Sequence, residues 1–316
     1  MNAKVLFPVL IILAAVQPAF AQIGDCKFGK REPATLKNMG PCEFDPEKFS
    51  FKGTPAEQAA CLARPVLFGG AIAKEPGKLP EIFLKRVGTK LDLPKRGDLM
   101  SYAVAAGFAL EVGIGLPLPL SRANSGDENA PEARYFVIHD TSAPNFRTRA
   151  FPDDIDADRG INSLNRYRCA NAIEAAHYFI NRPGQILKAH DYIVPWRATK
   201  FEIAANFDTK LRGLFLHNEL IQPRRGAPGR GWQNDFQAPS PGFSDKQYER
   251  LALLYIAASV RKGTWLIPAF HAVIDDGIYD KHDDPQNFEF EKFDAAIEKL
   301  LQDIPKDAKA ARNFVP

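Results

Sequence analysis

Short apolar runs alternate with longer helical periodicities along the carboxyl-terminal half of the chain. RYFVIHD (134–140) carries four strand-forming residues into His139 and predicts a strand. HYFI (177–180) and ILKAH (186–190) flank Pro183-Gly184, so this stretch predicts a hairpin with its turn at the Pro-Gly pair. GLFLHNELI (213–221) predicts a further strand, and NSLNRYRCANAIEAA, from Asn162 onward, a helix. Ser244 and Gln247 form a capping box ahead of a helix in which Tyr248, Leu251, Tyr255 and Ala258 recur at helical spacing, with Gly263 suited to its C-cap. Phe290, Phe293, Ile297, Leu300 and Leu301 make the apolar face of a final helix. Strands alternating with helices predict an α/β fold, a mixed central β-sheet flanked by helices.

The pattern upstream is less regular. PAEQAACLARPVL looks helical, and LMSYAVAAGFALEVGIGLPLPL predicts a buried helix or strand pair ending at prolines. SRANSGDENAPEA (121–133) is polar with Gly and Pro and predicts a linker or a long surface loop. These breaks divide the chain into residues 1–21, an N-terminal region 22–125 of unassigned role, and a catalytic domain 126–316.

The first segment changes the picture of where the protein works. MNAK is followed by the apolar VLFPVLIILAAV and by Ala19-Phe20-Ala21 before Gln22, which predicts a signal peptide cleaved after Ala21. The apolar run is short and interrupted by Pro8; the alternative is an uncleaved N-terminal anchor. No later segment is apolar enough to span a bilayer, so the mature chain is expected to be periplasmic or secreted. Cys26, Cys42, Cys61 and Cys169 follow the leader. Four cysteines in an exported chain suggest two disulfides, with three connectivities open and a buried thiol as the alternative for Cys61. A chain of 316 residues, 45% hydrophobic and 25% charged, has ordinary globular composition. A net charge of +3 without a Lys/Arg run excludes nucleic acid as an expected partner.

Candidate chemistry lies with the histidines. His139 ends a strand, His271 ends the apolar run WLIPAF, and His282 lies in DKHDDP. Two imidazoles from strand ends plus one carboxylate suit a catalytic zinc, which keeps three protein ligands and leaves a position for water. Glu219, in LFLHNEL, is the candidate general base, because nearby apolar groups tend to raise a carboxylate's pKa. Each signal taken alone also fits a solvated strand end.

Their order and contexts resemble the zinc-dependent N-acetylmuramoyl-L-alanine amidases of the type 2 family, which share a fold with the peptidoglycan recognition proteins. The resemblance spans about residues 134–293. YFVIHDTSAP resembles the strand of the first ligand, AAHYFINRPGQILKAHDYIVPWRA the central hairpin, LFLHNELI the strand of the catalytic glutamate, FSDKQYERLALLYIAA the following helix, and FHAVIDDGIYDKHDDPQNFEFEKF the second-ligand segment. The resemblance implies His139, His271 and Asp284 as Zn2+ ligands, Glu219 as the base, and His282 as a stabiliser of the developing oxyanion. Three departures stand out. The 13-residue gap from His271 to Asp284 keeps Asp283 as a rival ligand. Arg197 follows Trp196 where many members have His. Residues 22–125 resemble nothing in the family.

The remaining aromatic and basic residues are more ambiguous. His217, two residues before Glu219, points to the same strand face and is a candidate to line the site. Trp196 and Trp232 are candidates for stacking on sugar rings, with core packing the alternative for Trp196. His177 reads as a hydrogen-bonded core histidine and His190 as a surface or supporting residue. Arg224, Arg225 and Arg230 lie in what reads as a solvated loop that could meet peptide carboxylates. The expected activity is hydrolysis of the amide between N-acetylmuramic acid and L-alanine, with peptidoglycan or muropeptides as the partner and protein partners unassigned. A non-catalytic peptidoglycan-binding protein on the same fold, or an amidase for another acyl-peptide, is the alternative.

Overall fold

The structure, a computed structural model, describes residues 42–123, 127–167, 176–207, 210–226 and 237–312. The expected signal peptide (residues 1–21), Cys26, Cys169, Arg230 and Trp232 lie outside the described residues. No described helix is long and apolar enough to cross a membrane.

The chain opens with a ribbon of β1 (Phe44–Asp45) and β2 (Ser50–Phe51), followed by α1 (Pro55–Leu62). Thr54 caps α1 reciprocally with Glu57, satisfying two of the donors that a helix start leaves over. Cys42 and Cys61 form a disulfide that ties the ribbon to this helix. Two further helices follow, α2 (Glu81–Arg86) and α3 (Arg96–Ala105). The run expected to be buried around α3 is only partly so. Leu99 and Ala103 are buried, whereas Val104 is 60% and Leu110 70% exposed.

Next come β3 (Tyr135–Asp140), β4 (Tyr178–Ile180), β5 (Ile186–Lys188) and β6 (Phe215–Leu220), then α4 (Asp245–Lys262), β7 (Ile267–Phe270), α5 (His271–Ile274) and α6 (Phe290–Arg312). The five later strands make one mixed sheet in the order β5–β4–β6–β3–β7. Only β4 and β5 run antiparallel, as the Pro183-Gly184 hairpin requires, and Gly184 takes the left-handed φ of +87° there. Every residue of β3 is buried, as expected of a strand with a parallel neighbour on each edge and both faces covered.

Helix α4 matches its sequence signals. Ser244 and Gln247 form the capping box and Gly263 ends the helix at φ +79°. Tyr248, Leu251, Tyr255 and Ala258 are buried, and α6 packs against both α4 and α3. The helix expected from Asn162 appears among the described residues only as a 3-10 turn, Leu164–Tyr167; residues 168–175 lie outside them.

One continuous apolar core runs from Phe44, Phe51 and Leu62 through Tyr135 and Phe215 to Tyr255 and Phe293. Phe83 of α2 joins the two halves of the chain, stacked near Tyr255 with ring centroids 5.9 Å apart and edge-on to Phe290 at 4.8 Å. The Tyr135 hydroxyl donates to Gln58 Oε1 at 2.9 Å and accepts from Phe51 N at 2.8 Å. The polar stretch 121–133 is tied down at its described ends: Ser121 Oγ donates to Gly213 O at 2.8 Å, and Ala123, Ala130 and Ala133 are buried. Val66 bridges to Gln286, and Gly70, at φ +75°, sits where a Cβ would lie 2.3 Å from Asp283 Cβ.

Candidate metal centre

Register brings the candidate residues into one row. His139 of β3 is paired directly with Glu219 of β6, and Ile138 with Phe270 of β7. His271, the next residue after Phe270, therefore emerges beside His139. Three adjacent parallel strands present Glu219, His139 and His271 at their carboxyl ends, where open α/β sheets place their sites. The loop after α5 returns Asp284 to the same point. Asp284 Oδ2 accepts from Asp140 N at 3.1 Å, and its carbonyl accepts from Ala272 N at 2.8 Å.

His139 Nδ1 and His271 Nδ1 are 2.8 Å apart. Asp284 Oδ1 lies 3.0 Å from His271 Nδ1, and Oδ2 lies 3.7 Å from His139 Nδ1. Glu219 Oε1 is 3.9 Å from His139 Nδ1. His139, His271 and Asp284 thus form a buried donor group able to hold a metal ion. Zinc bonds of about 2.0–2.1 Å place tetrahedral ligand atoms roughly 3.3 Å from one another, so these spacings bracket the requirement. The donor chemistry fits as well, with two imidazole nitrogens and one carboxylate converging on one point.

The electrostatics separate the two histidines. Burial, and then the neighbouring His271, hold His139 well below the ordinary histidine range, so it is a neutral donor. Burial also disfavours a charge on His271, but Asp284 and Asp275 outweigh it and raise its pKa well above the ordinary value. Asp284 is lowered: burial opposes its ionisation, and the adjacent His271 overcomes that.

Asp283 turns elsewhere. Its Oδ2 accepts from Arg224 Nη1 at 3.2 Å and from Gln286 Nε2 at 2.8 Å. Arg224 is fully buried and also holds Asp140 at 2.5 Å, so the expectation of a solvated loop does not apply to it; an arginine between two carboxylates can be buried because its charge is matched. Arg225 bonds Gln237 Oε1 at 3.0 Å and lies over the Phe151 ring.

A cavity of about 270 Å³ opens over this row, lined by Glu219, His271, His282 and Asp284 together with Thr141 and Tyr167. The Tyr167 ring stacks on Phe179 at 4.9 Å. His282 is partly exposed, stacks on His271 at 4.1 Å, and has Nδ1 3.0 Å from Asp275 Oδ2. His217 lies beneath the row rather than on the cavity wall, fully buried, with Nδ1 3.1 Å from His139 Nε2. Trp196 packs in a small separate cluster with Ala176, Phe179 and Ala189 and stacks on His190. His177 is a buried core histidine whose Nε2 donates to Val194 O at 3.1 Å.

Neither a protein-family profile nor a curated protein matches the chain. A solved structure described as the crystal structure of a selenomethionine derivative of AmpD is 17% identical. It covers 57% of this chain and 92% of its own, with a TM-score of 0.32. A likeness of that size carries no argument about activity.

Sequence reading missed the support of the row. Asp275 and Glu202, both fully buried, each face an imidazole of this cluster. The signals were present: Asp275 is four residues after His271, and Thr199-Lys200-Phe201-Glu202 has capping-box spacing.

Proposed function

We propose that the protein is an exported zinc hydrolase that cleaves the amide between N-acetylmuramic acid and L-alanine in peptidoglycan or muropeptides. The observation that carries the reading is the row of Glu219, His139 and His271 on adjacent strand ends, closed by Asp284, with Glu219, His271 and Asp284 lining one cavity. The motifs that resemble type 2 amidases select the substrate among the amides such a site would accept.

His139, His271 and Asp284 would hold the zinc. A zinc ion there lowers the pKa of a bound water toward neutrality and polarises a carbonyl. Glu219, lining the cavity, would take the proton of the attacking water and pass it to the leaving amine of L-alanine. His282 lines the same cavity, with Nδ1 engaged by Asp275, so its other ring nitrogen is available to the developing oxyanion. Trp232 is assigned to the glycan side, with residues 126–316 carrying the chemistry, whereas Trp196, buried and off the cavity wall, keeps its core-packing role. Val66 and Gly70, within the N-terminal region, brace the loop of Asp283 and Asp284. The leader and the Cys42–Cys61 disulfide fit a periplasmic or secreted protein.

The test is digestion of purified sacculi by the zinc-loaded mature chain, read by mass spectrometry. Peptides with a free L-alanine amino terminus are expected, lost on chelation and restored by zinc. Glu219→Gln should lower the rate by about 10²–10⁴-fold with zinc retained. Zinc-loaded protein that binds sacculi and releases nothing would favour a non-catalytic binding protein.

A further inference from the structure

One turn holds both carboxylates that support the metal row. Ala198 N and Thr199 N donate to Glu202 Oε2 at 3.1 Å each, and Thr199 Oγ1 adds a bond at 3.0 Å. The next two backbone N–H groups serve Asp275: Lys200 N donates to Oδ2 at 3.3 Å and Phe201 N to Oδ1 at 2.9 Å. Four consecutive N–H groups are thus spent on two buried carboxylates. Each carboxylate then faces one limb of the row. Asp275 Oδ2 lies 3.1 Å from His271 Nε2, a close ionic contact without hydrogen-bond alignment. Glu202 Oε2 lies 3.1 Å from His217 Nε2, again an ionic contact without hydrogen-bond alignment, and His217 Nδ1 is hydrogen-bonded to His139 Nε2 at 3.1 Å.

We propose that the turn 198–202 is the positioning platform of the metal centre, fixing both His139 and His271 as Nδ1 ligands, His271 through Asp275 and His139 through Glu202 and His217. The inference rests on the metal-centre reading above. The argument is one of donors and acceptors. A carboxylate held beside one imidazole nitrogen favours the tautomer with the proton on that nitrogen and leaves the other nitrogen to the metal. With zinc displacing any proton that Nδ1 shares with Asp284, His271 would keep its proton on Nε2 beside Asp275 and bind through Nδ1. On the other limb, Glu202 beside His217 Nε2 favours the proton there and leaves Nδ1 as an acceptor. His139 Nε2–H donates to it, and His139 Nδ1 is left bare on the metal side.

The limbs differ in length, one carboxylate contact for His271 and a two-step relay for His139, but they share a backbone anchor. His271, Asp275 and His282 also converge closely enough to be read as a second ion site. Asp275 already accepts from two backbone N–H groups and faces both imidazoles, which is the pattern of an orienting carboxylate.

The test uses the full mature chain, loaded with zinc or with cobalt(II) as a spectroscopic probe, and the variants Glu202→Gln and Asp275→Asn. Nitrogen-15 NMR of the zinc-loaded wild type should show His139 and His271 both bound through Nδ1 and protonated on Nε2. Each variant should weaken zinc in chelator competition by about 10–100-fold and shift the cobalt(II) visible spectrum. Wild-type affinity and spectrum in both variants would overturn the proposal, as would Nε2 coordination in the wild type. The wild-type tautomers decide the question if a variant does not fold. Failure of the wild type to take up either ion would overturn the metal-centre reading itself, and this proposal with it.

Discussion

The amino-terminal flank, residues 42–123, and the carboxyl edge of the sheet are both well buried, but they bury different things. The flank contributes apolar surface: Phe44, Phe51, Leu62, Phe83 and Leu99 are all under 5% exposed. Its buried Arg86 is neutralised by Glu298 and Asp92, whose side chains are 37% and 50% exposed, so that charge reaches solvent through its partners. The carboxyl edge buries its charges together. His139, His217, Glu202, Arg224, Asp140, Asp275 and Asp284 are each under 5% exposed and face one another. Burying so many polar groups is costly unless each is matched, and a fold that matches them gains positional precision. A change in the flank should therefore alter stability and spare the site. A change at the edge should alter the site first.

The largest effect expected from this contrast comes from a paired substitution. Asp284→Ala removes a donor from the converging group and should weaken zinc by more than the roughly 100-fold that a supporting residue costs. Asp283→Ala removes a partner of Arg224 and Gln286 instead and should leave zinc bound. Chelator competition on the two proteins reads the difference. Loss of zinc in Asp283→Ala with retention in Asp284→Ala would reverse the assignment of the third ligand.

Phe83→Ala tests the opposite end of the contrast. Truncating a buried phenylalanine typically costs about 3–5 kcal/mol, and Phe83 packs on Tyr255 and Phe290 across the junction of the two halves. Denaturant unfolding should show that loss, while zinc affinity of the folded variant stays at the wild-type value. A site that loosened in step with stability would mean that the two regions are not separable.

The sequence disclosed the strand that ends on His139, the Pro183-Gly184 hairpin, both caps of α4 and the apolar face of α6, because each depends on neighbours within a few residues. The candidate site was legible as residue types on strand ends. Its geometry was not, because the direct pairing of His139 with Glu219 is a matter of sheet register across 80 residues of chain. The burial of Arg224 depends on Asp140 and Asp283, which approach from distant segments, and nothing local in its Gly- and Pro-rich surroundings announces them. Glu202 and Asp275 escaped for a similar reason. Each had a local signal, but their convergence on one backbone turn exists only in the folded chain.

The smallest effect sharpens the contrast through pH. Asp294 of α6 lies against the flank, near Arg86, and is 9% exposed, with Oδ1 lacking a hydrogen-bond partner among the described residues. Burial, and then the nearby Glu298, raise its pKa to about 6, against a lowering by Arg86. The unfolded carboxyl titrates near its ordinary 3.8. Below that value both states hold the proton and the group contributes no slope. Between there and about 6 the folded state holds more protons than the unfolded state, so stability falls as pH rises, and above about 6 the loss is complete. Asp294→Asn should remove this contribution and raise stability at neutral pH relative to the wild type, with little change at pH 4. Paired denaturant titrations at pH 4 and 7.5 measure it. An equal shift at both pH values would assign the effect to packing, and a change in zinc affinity would tie this flank-facing charge to the metal row after all.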